Sequence, residues 1–395
     1  MNSTLKTLAA TSALALVLTA CGDDGDNGGG NDSGGSAAGG LTGEGTGAEC
    51  TIESPVPVGA AVSLTGAAAS YGDSQKKGLE LAAEELAEVD GVTYDLKIED
   101  DQTDPRQGIT VFESLTKDRS VIIGPTLSNT AFQAQPVAQE ASVPVMAISN
   151  TAAGITEQGD YIFRDSLTEA QVIPQTVAQA TEAYGLEKVV VMYSNDDAFT
   201  ESGWKVFDQA LQDEGVEIID TLTFSKADTD FRPLLTEAKA ADPDALIVSG
   251  LIEAAIPLVT QARELGIDVP IVGGNGFNNP KLMADGGEAA EGVVVGAAWN
   301  SASEGELNTA FMEAYEAKYG SGPDQFAAQA YASMFIIDAA VRAGCSGEPE
   351  AIKEGLGGIQ DLDTVLGTLS INENRDAEHE AVVQLVKDGT FTVLN

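Results

Sequence analysis

Few residues of this 395-residue chain have the type and spacing to do chemistry. The single histidine, His379, sits between Glu378 and Glu380 near the C-terminus. A lone imidazole in an acidic run is expected to be a solvated or edge-strand residue rather than a catalytic base. No G-x-S-x-G elbow, G-x-x-x-x-G-K-[ST] phosphate loop or H-E-x-x-H helix is present. Gly273-Gly274-Asn275-Gly276 makes a loop but lacks dinucleotide-binding spacing. With 62 Asp and Glu residues, neighbouring carboxylates carry little information. These residues imply no metal, no cofactor and no enzyme. Three thiols remain. Cys21 directly follows Leu18-Thr19-Ala20, a setting that resembles the bacterial lipobox, in which the cysteine is lipidated and becomes the mature N-terminus. Cys50 and Cys345 stand in no metal-ligand spacing; an even pair in an exported chain favours a disulfide over two free thiols. Finally, Thr126-Leu127-Ser128-Asn129 opens a predicted helix, where Ser128 can cap the first turn. There the exposed N–H groups and the helix dipole also attract an anion.

The N-terminus sets the compartment in which these groups work. Lys6 precedes an apolar run from Leu8 to Leu18, too short to span a bilayer but suited to a signal-peptide core. Residues 1–20 are therefore expected to be a signal peptide and 21–50 a lipidated, Gly/Asp-rich tether. Twelve of the 26 residues from 22 to 47 are glycine, so the segment is expected to stay disordered for want of apolar surface to bury. Asp23-Asp24-Gly25-Asp26 hints at a calcium loop, but the downstream Glu is missing and a solvated spacer is the expectation. The formal net charge of −42 excludes a nucleic-acid-binding surface and opposes direct docking on anionic lipid. Membrane attachment is thus expected through the lipid alone. A saline habitat and a generally acidic proteome fit the carboxylate excess equally.

After residue 50, about 345 residues remain, enough for two domains with substantial cores. They alternate between strands and helices. Val56–Leu64 is an apolar strand, and Asp73–Val89 carries Leu79, Ala82, Ala83 and Leu86 on one helical stripe. Strands at Tyr94–Glu99, Val121–Ile123 and Val143–Ile148 follow, separated by helices after Pro105 and from about Ser128. The rhythm restarts with strands at Lys188–Tyr193, Glu217–Phe224, Ala245–Ser249 and Pro270–Gly273. Helices are expected at Glu201–Glu214, Phe231–Ala240 and Ala254–Leu265. Two successive units of this kind predict an α/β protein with two doubly wound parallel-sheet lobes. Ligands of such sheets bind at the C-terminal strand edges, and with two lobes the crevice lies between them.

Five motifs in order, Leu64-Thr65-Gly66, Tyr71-Gly72-Asp73, Glu99-Asp100-Asp101, Ile123-Gly124-Pro125 and Phe163-Arg164-Asp165, give the chain a resemblance to the leucine/isoleucine/valine-binding proteins. These are type I periplasmic binding proteins of branched-chain amino acid ABC importers, and the resemblance runs through most of residues 55–390. It implies one lobe of about 54–165 plus 297–376 and another of 166–296 plus 377–395, hinged around an interlobe cleft. It also implies that Leu127, Ser128 and Asn129 hold a ligand carboxylate, with Ser149 or Thr151 on the next loop and Tyr71 at the cleft lip. Phe199 stands where the family often has tyrosine, and Leu251 replaces another family aromatic. The acid that meets the ligand's ammonium in the family corresponds to Asn275, which carries no charge; Glu253 and Glu169 are the candidate substitutes. The resemblance implies an extracytoplasmic, monomeric protein that captures an amino acid, branched-chain or otherwise apolar, by hinge closure and serves permease and ATPase subunits. A carboxylate or amide ligand without an ammonium group, and a sensor that reports to a receptor, are the alternatives. Gene neighbours encoding permeases would favour transport, a neighbouring receptor sensing, and turnover of a ligand an enzyme.

Overall fold

The computed structural model describes residues 40–394. The signal peptide and Cys21 lie outside the described residues. In chain order the first lobe begins with β1 (Val56–Val62), α1 (Ala69–Leu86), β2 (Tyr94–Asp100), α2 (Pro105–Leu115), β3 (Val121–Ile123), α3 (Ser128–Glu140), β4 (Val145–Ala147) and β5 (Ile162–Arg164). The second lobe takes over with α4 (Glu169–Tyr184), β6 (Lys188–Ser194), α5 (Ala198–Asp213), β7 (Glu217–Phe224), α6 (Arg232–Ala240) and β8 (Ala245–Ser249). It continues through α7 (Ile252–Glu264), β9 (Ile271–Gly273), α8 (Lys281–Gly286) and β10 (Val293–Ala297). The chain then returns to the first lobe with α9 (Glu306–Tyr319), α10 (Gln325–Gly344) and α11 (Pro349–Gly357), and a small antiparallel sheet of β11 (Leu362–Thr364), β12 (Gly367–Ile371) and β13 (Ala377–Glu378). It closes on the second lobe with β14 (Val382–Lys387) and β15 (Thr390–Val393).

The first sheet has the order β2-β1-β3-β4-β5 and is parallel throughout. The second, β15-β14-β10-β9-β8-β6-β7, is parallel except where β14 and β15 pair antiparallel at one edge. Both sheets are covered on both faces, and the period of two along each strand sorts the side chains. In β1, Val56, Val58, Ala60 and Val62 pack toward α1 and α10, while Ala61 packs toward α2 and α3. In the second lobe Val190, Met192, Leu246 and Val248 meet α6 and α7, whereas Val189, Val191, Ala245 and Ile247 meet α4 and α5. Helix α10 is buried nearly all round, so it shows no amphipathic stripe.

The structure corrects the tether. The sequence predicts disorder through residue 50, but from Leu41 the chain lies against the first lobe. Gly43 donates its N–H to the Cys345 carbonyl (2.9 Å), Gly347 donates to the Leu41 carbonyl, and Glu44 and Thr51 exchange two backbone bonds. Glycine-rich backbone needs no core when its N–H and C=O groups find partners on a fixed surface. Cys50 and Cys345 are bonded to each other, with Cα atoms 5.3 Å apart, beside this docked segment.

Candidate functional site

The C-terminal ends of both sheets face each other across the cleft, and the loops there supply the site. Helix α3 starts at Ser128 with Leu127 in the N-cap position, so no side chain caps its first turn. This corrects the expectation that Ser128 is the cap. As the first residue of the helix, its hydroxyl accepts from the Ala152 N–H at 3.4 Å. No acceptor within the described residues takes its proton. An uncapped helix start with a hydroxyl whose proton is free is an arrangement suited to a carboxylate.

Ser128 lines a cavity of about 30 Å³ with Tyr71, Thr126, Leu127 and Ser149 from the first lobe. Asp197, Phe199, Leu251, Asn275 and Gly276 come from the second lobe, and Phe326 from α10. Ser149 has a left-handed backbone (φ 81°) that turns its side chain to this cavity. Its hydroxyl donates to the Thr126 carbonyl (2.8 Å) and accepts from Gln75 Nε2 (2.8 Å), so toward a ligand it offers only a lone pair. Gln75 also accepts from the Thr126 hydroxyl (2.6 Å), which fixes both loops at once.

Two predicted contacts are not on this cavity. Thr151, past the Ser149 turn, points away to a different hollow beside Arg164 and Ser202. Asn129 reaches across to the start of α5 instead: Nδ2 donates to Asp197 Oδ2 (2.6 Å) and Oδ1 accepts from the Ala198 N–H (3.0 Å). It joins the lobes, because the second residue of α3 projects sideways from the helix start. Tyr71 is only 2% exposed and joins them too. Its hydroxyl donates to the Gly276 carbonyl (2.7 Å) and accepts from the Ile252 N–H (2.7 Å). Burial first, and then the nearby Glu253, holds its pKa well above the ordinary tyrosine range.

Both polar side-chain atoms of Asn275 bond to neighbours. Its Nδ2 donates to Glu169 Oε1 (3.0 Å), and its Oδ1 accepts from Gln325 Nε2 (3.3 Å). Gln325 in turn accepts from Asn278 Nδ2 (2.8 Å) and the Ala298 N–H (2.6 Å). An acid at position 275 would set two carboxylates about 3 Å apart, a repulsive pair in a buried site. Desolvation pushes Glu169 up to about 7, partly offset by its bond from Asn275. Glu169 therefore lies behind Asn275 and does not line the cavity, whereas Glu253 lines an adjoining one of about 250 Å³.

Residue patterns missed Asp197, Gln75 and Phe326. Asp197 caps α5 by accepting from the Thr200 N–H (3.1 Å), and an Asp between a strand and a helix is a readable cap signal. Phe326, whose ring centroid lies 4.5 Å from that of Tyr71, had no such signal within an apolar helix. His379 follows β13 and lines a wide surface groove with Trp299. Desolvation lowers its pKa to about 4, which leaves it neutral at physiological pH.

Two doubly wound lobes around a cleft with an uncapped helix start define the architecture of a two-lobed solute-binding protein. The family model described as "Periplasmic binding protein" matches residues 55–390. The chain belongs to that family. It is 25% identical over 329 residues to Leu/Ile/Val-binding protein homolog 3 of Brucella melitensis, covering 81% of this chain and 88% of that one. The substrate-binding protein of a branched-chain amino acid transporter from Streptococcus pneumoniae, solved with isoleucine, superposes with a TM-score of 0.81 at 28% identity. That match covers 86% of this chain and 98% of the other. A solute-binding protein of an ABC transporter from Rhodopseudomonas palustris, solved with 3,4-dihydroxybenzoic acid, gives 0.78 at 25% identity over 86% and 96%.

Proposed function

We propose that this chain is an extracytoplasmic lipoprotein that captures an amino acid with an apolar side chain and delivers it to the permease and ATPase subunits of an ABC importer. The observation that carries the reading is the uncapped start of α3, with its free Ser128 proton, in an interlobe cavity walled by Tyr71, Phe199, Leu251 and Phe326. A carboxylate would take the helix N–H groups and the Ser128 hydroxyl, and an apolar side chain would extend past Leu251 into the adjoining interlobe cavity. Residues 54–165 with 297–378 form one closing body and residues 166–296 with 379–395 the other, the last crossing falling two residues later than the expected 376/377 because Ala377 packs in the first-lobe core. Ligand bridges them, and the closed form gains the contacts of Tyr71 and Asn129 that exist only when the lobes meet. The protein acts as a monomer, held to the membrane by the lipid on Cys21, and binds its ligand without chemical change. The relatives that bind leucine, isoleucine and valine support the transport role.

One observation favours a second ligand class. Asn275 offers no charge, and a relative of equal identity binds an aromatic carboxylate that has no ammonium group. A thermal-shift screen against amino acids, 2-oxo acids and aromatic carboxylates separates the two. Stabilisation by apolar amino acids supports the first reading; stabilisation by amine-free acids alone supports the second; no stabilisation by any of them refutes both.

A further inference from the structure

The cavity beside Ser128 is small. At about 30 Å³ it admits a carboxylate-sized group and little more, since one water needs roughly 10–15 Å³. The body of any amino acid must therefore lie elsewhere. A second cavity of about 250 Å³ shares Leu127, Asp197 and Leu251 with the first and also lies between the lobes. Pro105, Phe224 and Ala254 give it an apolar lining. Together the two approach the low end of small-molecule sites, about 300 Å³, which suits a solute of amino-acid size.

Two carboxylates face this second chamber. Asp197 is buried, and both its oxygens are used, by Asn129 and by the Thr200 N–H. Glu253, the second residue of α7, is different: among the described residues no other residue's donor or cation bonds to it. Lys226 is the cation on the same wall, and it too has no ion-pair partner there. The wall thus carries one more negative than positive charge in a partly desolvated space, where an unmet charge is costly.

We propose that Glu253, supported by Asp197, receives the ligand's ammonium group, so that the cation is seated in the second chamber rather than beside position 275. This rests on the amino-acid reading above and deepens it. Asn275 is then a strut: it ties Glu169 to Gln325 and contacts no ligand charge. The ligand spans both chambers, with its carboxylate at Ser128, its ammonium at Glu253 and its side chain against Leu251, Phe224 and Pro105. Burial raises Glu253 to about 7, with Lys281 opposing, and Asp197, Lys226 and Tyr71 are the other titratable groups near it. An incoming ammonium would stabilise its charged form, so binding near pH 7 releases part of a proton.

The test titrates leucine and its 2-oxo analogue into the full chain by calorimetry in two buffers of different ionisation enthalpy, with wild type, Glu253→Gln and Glu253→Asp. The expected result is a preference of wild type for leucine that falls about 10- to 150-fold in Glu253→Gln, the loss of a hydrogen bond to a charged group. Glu253→Asp, which keeps the charge, should restore part of it. The wild-type heat for leucine should depend on buffer, and that dependence should vanish in Glu253→Gln. An unchanged preference in a folded Glu253→Gln protein overturns the proposal, as does loss of leucine binding in Lys226→Met with none in Glu253→Gln. Binding of only the oxo acid overturns it while leaving the carrier role intact. Binding of neither solute, nor of any other amino acid, overturns the amino-acid reading itself.

Discussion

Removing one oxygen from Tyr71 should weaken solute binding far more than it weakens the fold. In the closed arrangement the Tyr71 hydroxyl serves two backbone groups of the other lobe, the Gly276 carbonyl and the Ile252 N–H, each at 2.7 Å. Tyr71→Phe keeps the ring against Phe326 but leaves both groups buried without a partner. Each orphaned group is neutral and costs about 1–2 kcal/mol, so the closed form should lose about 2–4 kcal/mol in total. With the lobes apart, water satisfies the same groups, and the penalty falls on the closed state alone. Affinity should therefore drop roughly 30- to 900-fold. Calorimetric titration of the best amino acid from the panel measures the drop, and thermal melting of the free protein should change little. An affinity within twofold of wild type would refute the idea that these bonds form on closure.

Four further outcomes are expected. Ser128→Ala should weaken binding of a carboxylate-bearing ligand by about 1.5–3 kcal/mol in a titration. It should hardly change stability, because Leu127 and not Ser128 holds the cap position. Native intact-mass analysis should show Cys50 and Cys345 without free thiols, and Cys50→Ser should destabilise by up to about 5 kcal/mol given the 295-residue separation. Glu169 is raised from 4.5 to about 7 on folding, so the folded protein holds a proton that the unfolded chain releases; stability should fall as pH climbs from about 4.5 to 7 and then level. Melting curves across that range should flatten in Glu169→Gln, whose amide oxygen still accepts from Asn275. Cys21→Ser should abolish acyl labelling and membrane retention, and normal retention would refute the anchor.

The parallel strands were legible because sheets covered on both faces leave continuous apolar runs such as Val189–Met192 and Ala245–Ser249. Helix starts were harder. Helix α1 begins at Ala69 with no side-chain cap, so nothing polar marked its first turn, and the periodic stripe begins only at Leu79. The last third was silent for the opposite reason: α10 is apolar on every side and looks like no particular element. At the site, Ser128, Ser149, Tyr71, Phe199 and Asn275 stood out through the order of their motifs. The roles of Asn129 and Thr151 depended on side-chain direction after a turn, which spacing does not encode. Glu253 and Glu169 stood as equal substitutes for an acid at position 275, and only the cavity separates them, because Glu253 lines it and Glu169 lies behind Asn275.

Capture of an apolar amino acid by closure of the two lobes can be followed by small-angle X-ray scattering during a titration with leucine, isoleucine, valine and phenylalanine. Closure should give a saturable fall in the radius of gyration with at least one of them, complete at one solute per chain. Saturating binding with no compaction would contradict closure, and no response to any of the four would contradict the proposed ligand.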